Sequence, residues 1–347
     1  MTTARQPATV AANIDLFSPG KRLGHLELVW SDNVHAYGVI PVPIGVVTSG
    51  PGPHALITAG VHGDEYEGLV ITRRLFADLD PGRITGTVTI MPAVNLPAVR
   101  AATRVSPIDG GNMNRAFAGH PSQGPTAMIA DFIEREILPR TDIAVDLHSG
   151  GTRSFYTPCG YVYAFGSRAF RERKLAAAHA FGATHTAIVA ATSSGGSLSS
   201  ACERNNVVMV ATELGGGGVL DRRAMELGYA GTLGVLRHAG VLAGDVDGRR
   251  TSLVHVESRR SSVMATSDGL LEHAVEVGVA VEQGQLAGRI WPMDDPSRTP
   301  VAVTFAASGI VLARRATPLV IAGDTVCHTG RPISDEEFLA IGEDNRS

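Results

Sequence analysis

The sequence predicts an α/β fold: a mixed, largely parallel sheet flanked by helices, followed by a small all-β domain. Two observations carry this. Between residues 54 and 238, apolar runs of strand length alternate with amphipathic stretches of helix length, and Gly-containing loops separate them. After Gly244 the texture changes to short apolar runs broken by Gly, Pro and Asp. A length of 347 residues agrees with two domains, placed here at 1–245 and 246–347.

The elements follow in order. The segment up to Trp30 reads as a loose arm with a short strand, and His35–Val47 is rich in β-formers. His54–Gly60 (HALITAG) is a strand, and Glu67–Leu79 an amphipathic helix. Thr87–Ala93 is a strand, Pro125–Ile137 a helix, and Asp142–Leu147 a strand. Phe170–Phe181 is helical, Val207–Thr212 is a strand, and Arg222–His238 is a helix. Parallel strands need crossover helices, and these cover both faces of the sheet.

Composition narrows the function. Hydrophobic residues at 44% suffice for a full core, and charged residues at 18% exclude a disordered polyelectrolyte. A formal net charge of −4 argues against a nucleic-acid-binding surface. Cys159, Cys202 and Cys327 lie far apart and form no CxxC, as expected in a reducing compartment. Met1–Asp15 has no basic start followed by an apolar run, and no stretch of about 18 apolar residues exists. A cytoplasmic protein without membrane contact is expected.

The C-terminal part carries a weak internal echo. Gly269-Leu270-Leu271 leads to Val281–Leu286, and Gly309-Ile310-Val311 leads to Gly323–Val326. The pattern resembles the flattened β-barrel of biotinyl and lipoyl carrier domains, which hold their cofactor on a hairpin lysine. Lys21 and Lys174 are the only lysines of the chain, so a carrier role is excluded and a structural or lid role is expected.

The chemistry gathers at strand ends. The first strand runs into V-H-G-D-E-Y-E-G, where His62 and Glu65 form H-x-x-E on a turn. An imidazole and a carboxylate at that spacing can converge on one metal ion, and a catalytic site needs three protein ligands and an open position. Asp64 and Glu67 read as a solvated helix start, favoured by the helix dipole. The strand Asp142–Leu147 delivers His148 in D-L-H-S-G-G, and ligands collect beyond the carboxyl ends of such strands. Asp146 faces the same side as His148 and can receive its second N–H. Val207–Thr212 delivers Glu213 before four glycines, where bare backbone leaves room for a substrate. A carboxylate there can move protons for a metal-activated water. The loop Thr103–Phe117 holds Arg104, Asn114 and Arg115, which offer donors to an anion.

Taken together, H-x-x-E, N-R, D-x-H and E in this order resemble the succinylglutamate desuccinylase/aspartoacylase family, a branch of the zinc carboxypeptidase-like fold. The resemblance covers roughly residues 40–240, and the β-domain fits that family's C-terminal domain. The strings HGDEYEG, SPIDGGNMNR, DLHSGG and TELGGGG are similar to the branch of N-acetyl-diaminobutyrate deacetylases of ectoine degradation. The resemblance implies one zinc ion per subunit on His62, Glu65 and His148. It implies Glu213 as general base and then proton donor, and Arg104 as the group that polarises the carbonyl or steadies its oxyanion. Asn114 and Arg115 would bind the α-carboxylate. The expected substrate is a small N-acyl amino acid, such as N-acetyl-2,4-diaminobutyrate, hydrolysed at its amide; a homo-oligomer is expected. The alternatives are another N-acyl amino acid (N-acetylaspartate, N-succinylglutamate, an aromatic acetyl conjugate) or a metallocarboxypeptidase. Residues 151–205 should contribute further substrate contacts, with Arg153, Tyr156, Tyr161, Tyr163, Ser193 and Ser194 available and no motif to choose among them.

Overall fold

The computed structural model describes residues 10–31, 36–190, 195–246, 249–257 and 261–341. The N-terminal half contributes β1 (Val10–Ala12), β2 (Gly20–Trp30), β3 (Gly38–Thr48), β4 (His54–Ala59) and β5 (Thr87–Met91). Then follow β6 (Ile143–Leu147), β7 (Ser154–Tyr156), β8 (Cys159–Tyr163), β9 (His185–Val189) and β10 (Val208–Glu213). The helices among them are α1 (Glu67–Asp78), α2 (Leu96–Ala101), α3 (Pro125–Phe132), α4 (Arg168–Phe181), α5 (Leu198–Arg204) and α6 (Arg222–His238). The C-terminal part adds β11 (Ser252–Val256), β12 (Ser262–Met264), β13 (Gly269–His273), β14 (Ala280–Val281) and β15 (Leu286–Trp291). It ends with β16 (Val301–Thr304), β17 (Gly309–Arg315), β18 (Leu319–Val320), β19 (Thr325–Ile333) and α7 (Asp335–Ala340).

The large sheet runs in the order β1-β2-β3-β5-β4-β6-β10-β8-β9-β11-β19-β17-β14. Its centre, β5-β4-β6-β10, is parallel. The mixed character comes from β3, which meets β5 antiparallel, and from β8, which meets β10 antiparallel. β4 and β6 are buried along their whole length, which is why they read as mainly apolar runs without alternation. One face of the sheet packs on α1, α4 and α6 through Ile71, Leu75, Phe181 and Val235. The other packs on α3 and α5 through Met128, Ile129, Leu198 and Ala201. Each buried Ile, Leu, Val, Met or Phe side chain among these stabilises the fold by about 1.5–3 kcal/mol.

Two expectations change in detail. The N-terminal arm is built into the sheet: β2 pairs with β3 over its whole length, with Leu26 and Leu28 inward and Glu27 outward. The helix expected at Pro125–Ile137 is continuous, but its second half, Ile133–Ile137, is a π-turn.

After residue 260, β16-β15-β13-β18 form a separate four-stranded sheet, which with β12, β14, β17 and β19 encloses a core of Leu271, Ile290, Phe305, Val311 and Val326. This all-β unit is sewn into the large sheet. β11 pairs with β9 and β19, and β17 pairs with β7. Among the described residues, no helix is long and apolar enough to cross a membrane.

Candidate active site

Three parallel strands, β4, β6 and β10, end side by side. His62, Glu65 and His148 lie just beyond their carboxyl ends, and Glu213 is the last residue of β10. All four line one cavity of about 680 Å³. His62, Glu65 and His148 are buried, and their ligating atoms lie within 4.8 Å of one another. Glu65 is the centre: Oε1 is 2.7 Å from His62 Nδ1 and Oε2 is 2.8 Å from His148 Nδ1. Ser149 N–H donates to Glu65 Oε2 at 3.2 Å.

The far nitrogens of both imidazoles are spoken for. His148 Nε2 lies 2.9 Å from Asp146 Oδ2, and Thr58 Oγ1 donates to the other Asp146 oxygen at 2.7 Å. His62 Nε2 lies 3.2 Å from Asn112 Oδ1, which also accepts from Asn114 N–H. Both partners are acceptors, so each Nε2 carries the proton. Each Nδ1 faces the Glu65 carboxylate, where either a proton or a metal ion bridges nitrogen and oxygen. The donor set of two imidazoles and a carboxylate, each oriented by an outer hydrogen bond, fits a divalent zinc-type ion. In the metal-free site, burial alone would lower the His148 pKa, but the carboxylates of Asp146 and Glu65 outweigh it and hold the ring well above its usual range, so a proton on Nδ1 stands where the ion would sit. Burial would raise Glu65, yet the two histidines keep it below the ordinary carboxylate range.

Glu213 differs from its neighbours. Its Oε2 is buried and has no hydrogen-bond partner. Burial, with the nearby Glu65 charge, pushes its carboxyl well above the usual range. The Tyr156 hydroxyl is raised in turn, first by Glu213 and then by burial. A carboxyl that holds no structural hydrogen bond on that oxygen, facing a metal-type triad in a cavity, is free to exchange a proton.

Arg104, Asn114, Arg115 and Asp146 line the same cavity. Arg104 is exposed, and its guanidinium reaches to 3.5 Å from Glu65 Oε1. Asn114 Oδ1 accepts from Leu198 N–H, which ties the loop to the start of α5. The Arg115 guanidinium donates to the Asn114 carbonyl at 2.7 Å. Arg153, Tyr156, Tyr161 and Tyr163 also line the cavity, while Ser193 and Ser194 lie outside the described residues.

The four glycines after Glu213 do something other than leave room for a substrate. Gly215–Gly218 all take positive φ. At Gly216 a Cβ would stand 2.3 Å from the Ser154 carbonyl oxygen, so the loop packs against the 150–156 turn. Tyr156 N–H donates to the Gly215 carbonyl there, at 2.9 Å.

Comparison with known proteins gives a consistent result. Residues 51–239 match the model of the succinylglutamate desuccinylase/aspartoacylase catalytic domain. The chain belongs to the succinylglutamate desuccinylase/aspartoacylase family. A relative from Halomonas elongata, described as N-alpha-acetyl-L-2,4-diaminobutyric acid deacetylase, is 34% identical over 93% of this chain and 95% of its own. The product-bound ectoine utilization protein EutE (DoeB) from Ruegeria pomeroyi is 36% identical, with a TM-score of 0.90, over 94% of this chain and 100% of that one. A succinylglutamate desuccinylase/aspartoacylase from Rhodobacter sphaeroides is 35% identical, with a TM-score of 0.89, over the same shares. Membership makes this chain a deacylase, a hydrolase of amide bonds, on the fold the sequence predicts.

Within this family member, sequence reasoning missed Asn112, whose carboxamide holds His62. Its only signal was the neighbouring N-x-N in the loop. The reading of Asp64 and Glu67 as a solvated helix start is overturned. Asp64 is 7% exposed and Glu67 fully buried, because α1 begins inside the molecule beneath the Ser149–Thr152 turn and the Gly-rich loop.

Proposed function

We propose that this deacylase is a zinc-dependent amidohydrolase that removes the acetyl group of an Nα-acetyl amino acid, with Nα-acetyl-L-2,4-diaminobutyrate as its substrate. The observation that carries the reading is the partnerless, buried Glu213 carboxyl in the same cavity as the His62–Glu65–His148 triad. Relatives that span nearly the whole chain and act in this chemistry support the choice of acyl amino acid.

In this reading His62, Glu65 and His148 hold one zinc ion, with Asp146 and Asn112 orienting the two rings. Bound there, zinc would supply Lewis acidity, which brings a water's pKa to about 7 and polarises the amide carbonyl. Glu213 takes the proton of the attacking water. As the C–N bond breaks, Glu213 returns that proton to the leaving nitrogen. Acetate and a free amine result. Arg104 faces the developing oxyanion, where a cation stabilises the transition state more than the ground state. Arg115 grips the α-carboxylate, and Asn114 adds a donor through its NH2 group, since its oxygen is already held by Leu198 N–H.

We assign residues 1–245 to the catalytic unit and 246–347 to the all-β unit. The second unit works as a wall: β17 pairs with β7, whose Ser154 and Tyr156 line the cavity. A cavity closed in this way suits one amino acid better than a peptide chain. The test is amine release by the zinc-loaded protein from N-acetyl-2,4-diaminobutyrate, N-acetylaspartate, N-succinylglutamate and a short peptide, each with a chelator control. Chelator-sensitive release from the first substrate above all others is expected. Preferential trimming of the peptide would replace the reading with a carboxypeptidase.

A further inference from the structure

Asp64 lies between His62 and Glu65 in the chain, but its hydrogen bonds go elsewhere. Oδ2 accepts from Thr152 N–H at 2.9 Å and from Thr152 Oγ1 at 3.0 Å. The turn closes tightly on this carboxylate: Gly151 has φ +57, and a Cβ there would stand 2.6 Å from Oδ2. The other oxygen, Oδ1, is buried without a partner. Asp64 is 7% exposed and lines the cavity that holds the triad.

No cation of the described residues answers this carboxylate. Of the arginines on the cavity wall, Arg104 lies against Glu65 and Arg115 donates to the Asn114 carbonyl. Arg153 is exposed and makes no ion pair. A buried carboxylate oxygen left bare costs stability unless something positive meets it. Asp64 lines the substrate cavity, where a ligand can bring the missing partner.

We infer that Asp64 reads a free ammonium on the side chain of the substrate, and so selects short cationic N-acyl amino acids over neutral and acidic ones. The inference rests on the deacylase reading above and names its specificity. The two anchors reach the cavity from different loops: Asn114 and Arg115 from the loop tied to α5, and Asp64 from the His62–Glu65 turn, held there by Thr152. The first pair takes the α-carboxylate. Asp64 Oδ1 accepts a charge-assisted hydrogen bond from the ammonium, which has three N–H donors to offer. An N-acyl aspartate or glutamate would bring a second anion against Asp64. A neutral aliphatic side chain would leave Oδ1 bare.

The experiment compares N-acetyl-2,4-diaminobutyrate with N-acetyl-2-aminobutyrate, which lacks only the terminal ammonium, on wild-type protein and on Asp64→Asn. The variant keeps an oxygen for Thr152 and loses the charge. Wild type should prefer the ammonium substrate by about ten- to hundred-fold in kcat/KM. In Asp64→Asn this preference should fall to about twofold, chiefly through KM. Equal losses on both substrates would make Asp64 a support for the turn and overturn the inference, as would a wild type indifferent to the ammonium. A wild type silent on both substrates but active on another acyl amino acid would overturn the diaminobutyrate reading, and this inference with it. Calorimetric binding of the products to wild-type protein gives a second readout that needs no variant. There 2,4-diaminobutyrate should bind at least about tenfold tighter than 2-aminobutyrate, and equal affinities would contradict the assignment.

Discussion

The two ends of this molecule treat polar groups in opposite ways. At the carboxyl ends of β4, β6 and β10, the fold buries His62, Asp64, Glu65, Glu67, Asp146 and His148 within one neighbourhood. The C-terminal β unit is packed around Leu271, Ile290, Phe305 and Val326. Its charged side chains, such as Glu272, Glu282 and Arg289, face solvent. The β unit spends its interior on stability. The strand ends accept the cost of buried charge, and the cost is met by reciprocal hydrogen bonds everywhere except on a few oxygens, Glu213 Oε2 and Asp64 Oδ1 among them. Those oxygens are where chemistry and recognition are expected.

The strongest way to break this contrast is to remove Glu213, the proposed proton carrier. Glu213→Gln should lower kcat by about 10²–10⁴-fold. It should leave thermal stability unchanged or raised, because a buried, partnerless carboxyl has gone. A large loss of melting temperature would mean that Glu213 is structural. The opposite signature is expected in the β unit. Phe305→Ala should cost about 3–5 kcal/mol of stability in denaturant titrations, with kcat/KM of the folded protein little changed.

A pH experiment sharpens the comparison away from the site. His54, at the opposite end of β4, is buried against Thr89 Oγ1 at 2.8 Å, and burial pulls its pKa down to about 4. The unfolded chain therefore binds more protons between about pH 4 and 6.5. Stability should fall as pH drops through that window, by up to about 3 kcal/mol, and level off above it. His54→Gln should flatten that slope; an unchanged slope would place the sensitive group elsewhere. The smallest effect expected is at Asp146→Asn, which should weaken zinc binding by about 10–100-fold without unfolding the sheet.

The site was more legible than its surroundings, for a physical reason. His62, His148 and Glu213 sit at the ends of buried, mostly apolar strands, and strand ends in a parallel sheet converge whatever the rest of the chain does. Asp146 could be paired with His148 because alternation along a strand is a local rule. Asn112, Asp64 and Glu67 obey no such rule. Their roles depend on which loop folds over them, and an acidic helix start looks the same whether solvent or a Gly-rich turn covers it. The same limit explains the missed strands. β7 and β8 are short, half-buried and rich in tyrosine, so their pattern carries little periodicity. In β2 the alternation of Leu26 and Leu28 with Glu27 is plain, but Lys21, Arg22 and two glycines mask it upstream.

The proposed site divides its labour: the triad would hold the metal, and Glu213 would move the proton. This division is tested most directly by calorimetric zinc titration and turnover measured together on wild-type protein, His148→Ala and Glu213→Gln. One tight zinc equivalent is expected in wild type and in Glu213→Gln, with turnover only in wild type, and no tight zinc in His148→Ala. Tight stoichiometric zinc in His148→Ala, or near-wild-type turnover in Glu213→Gln, would contradict it.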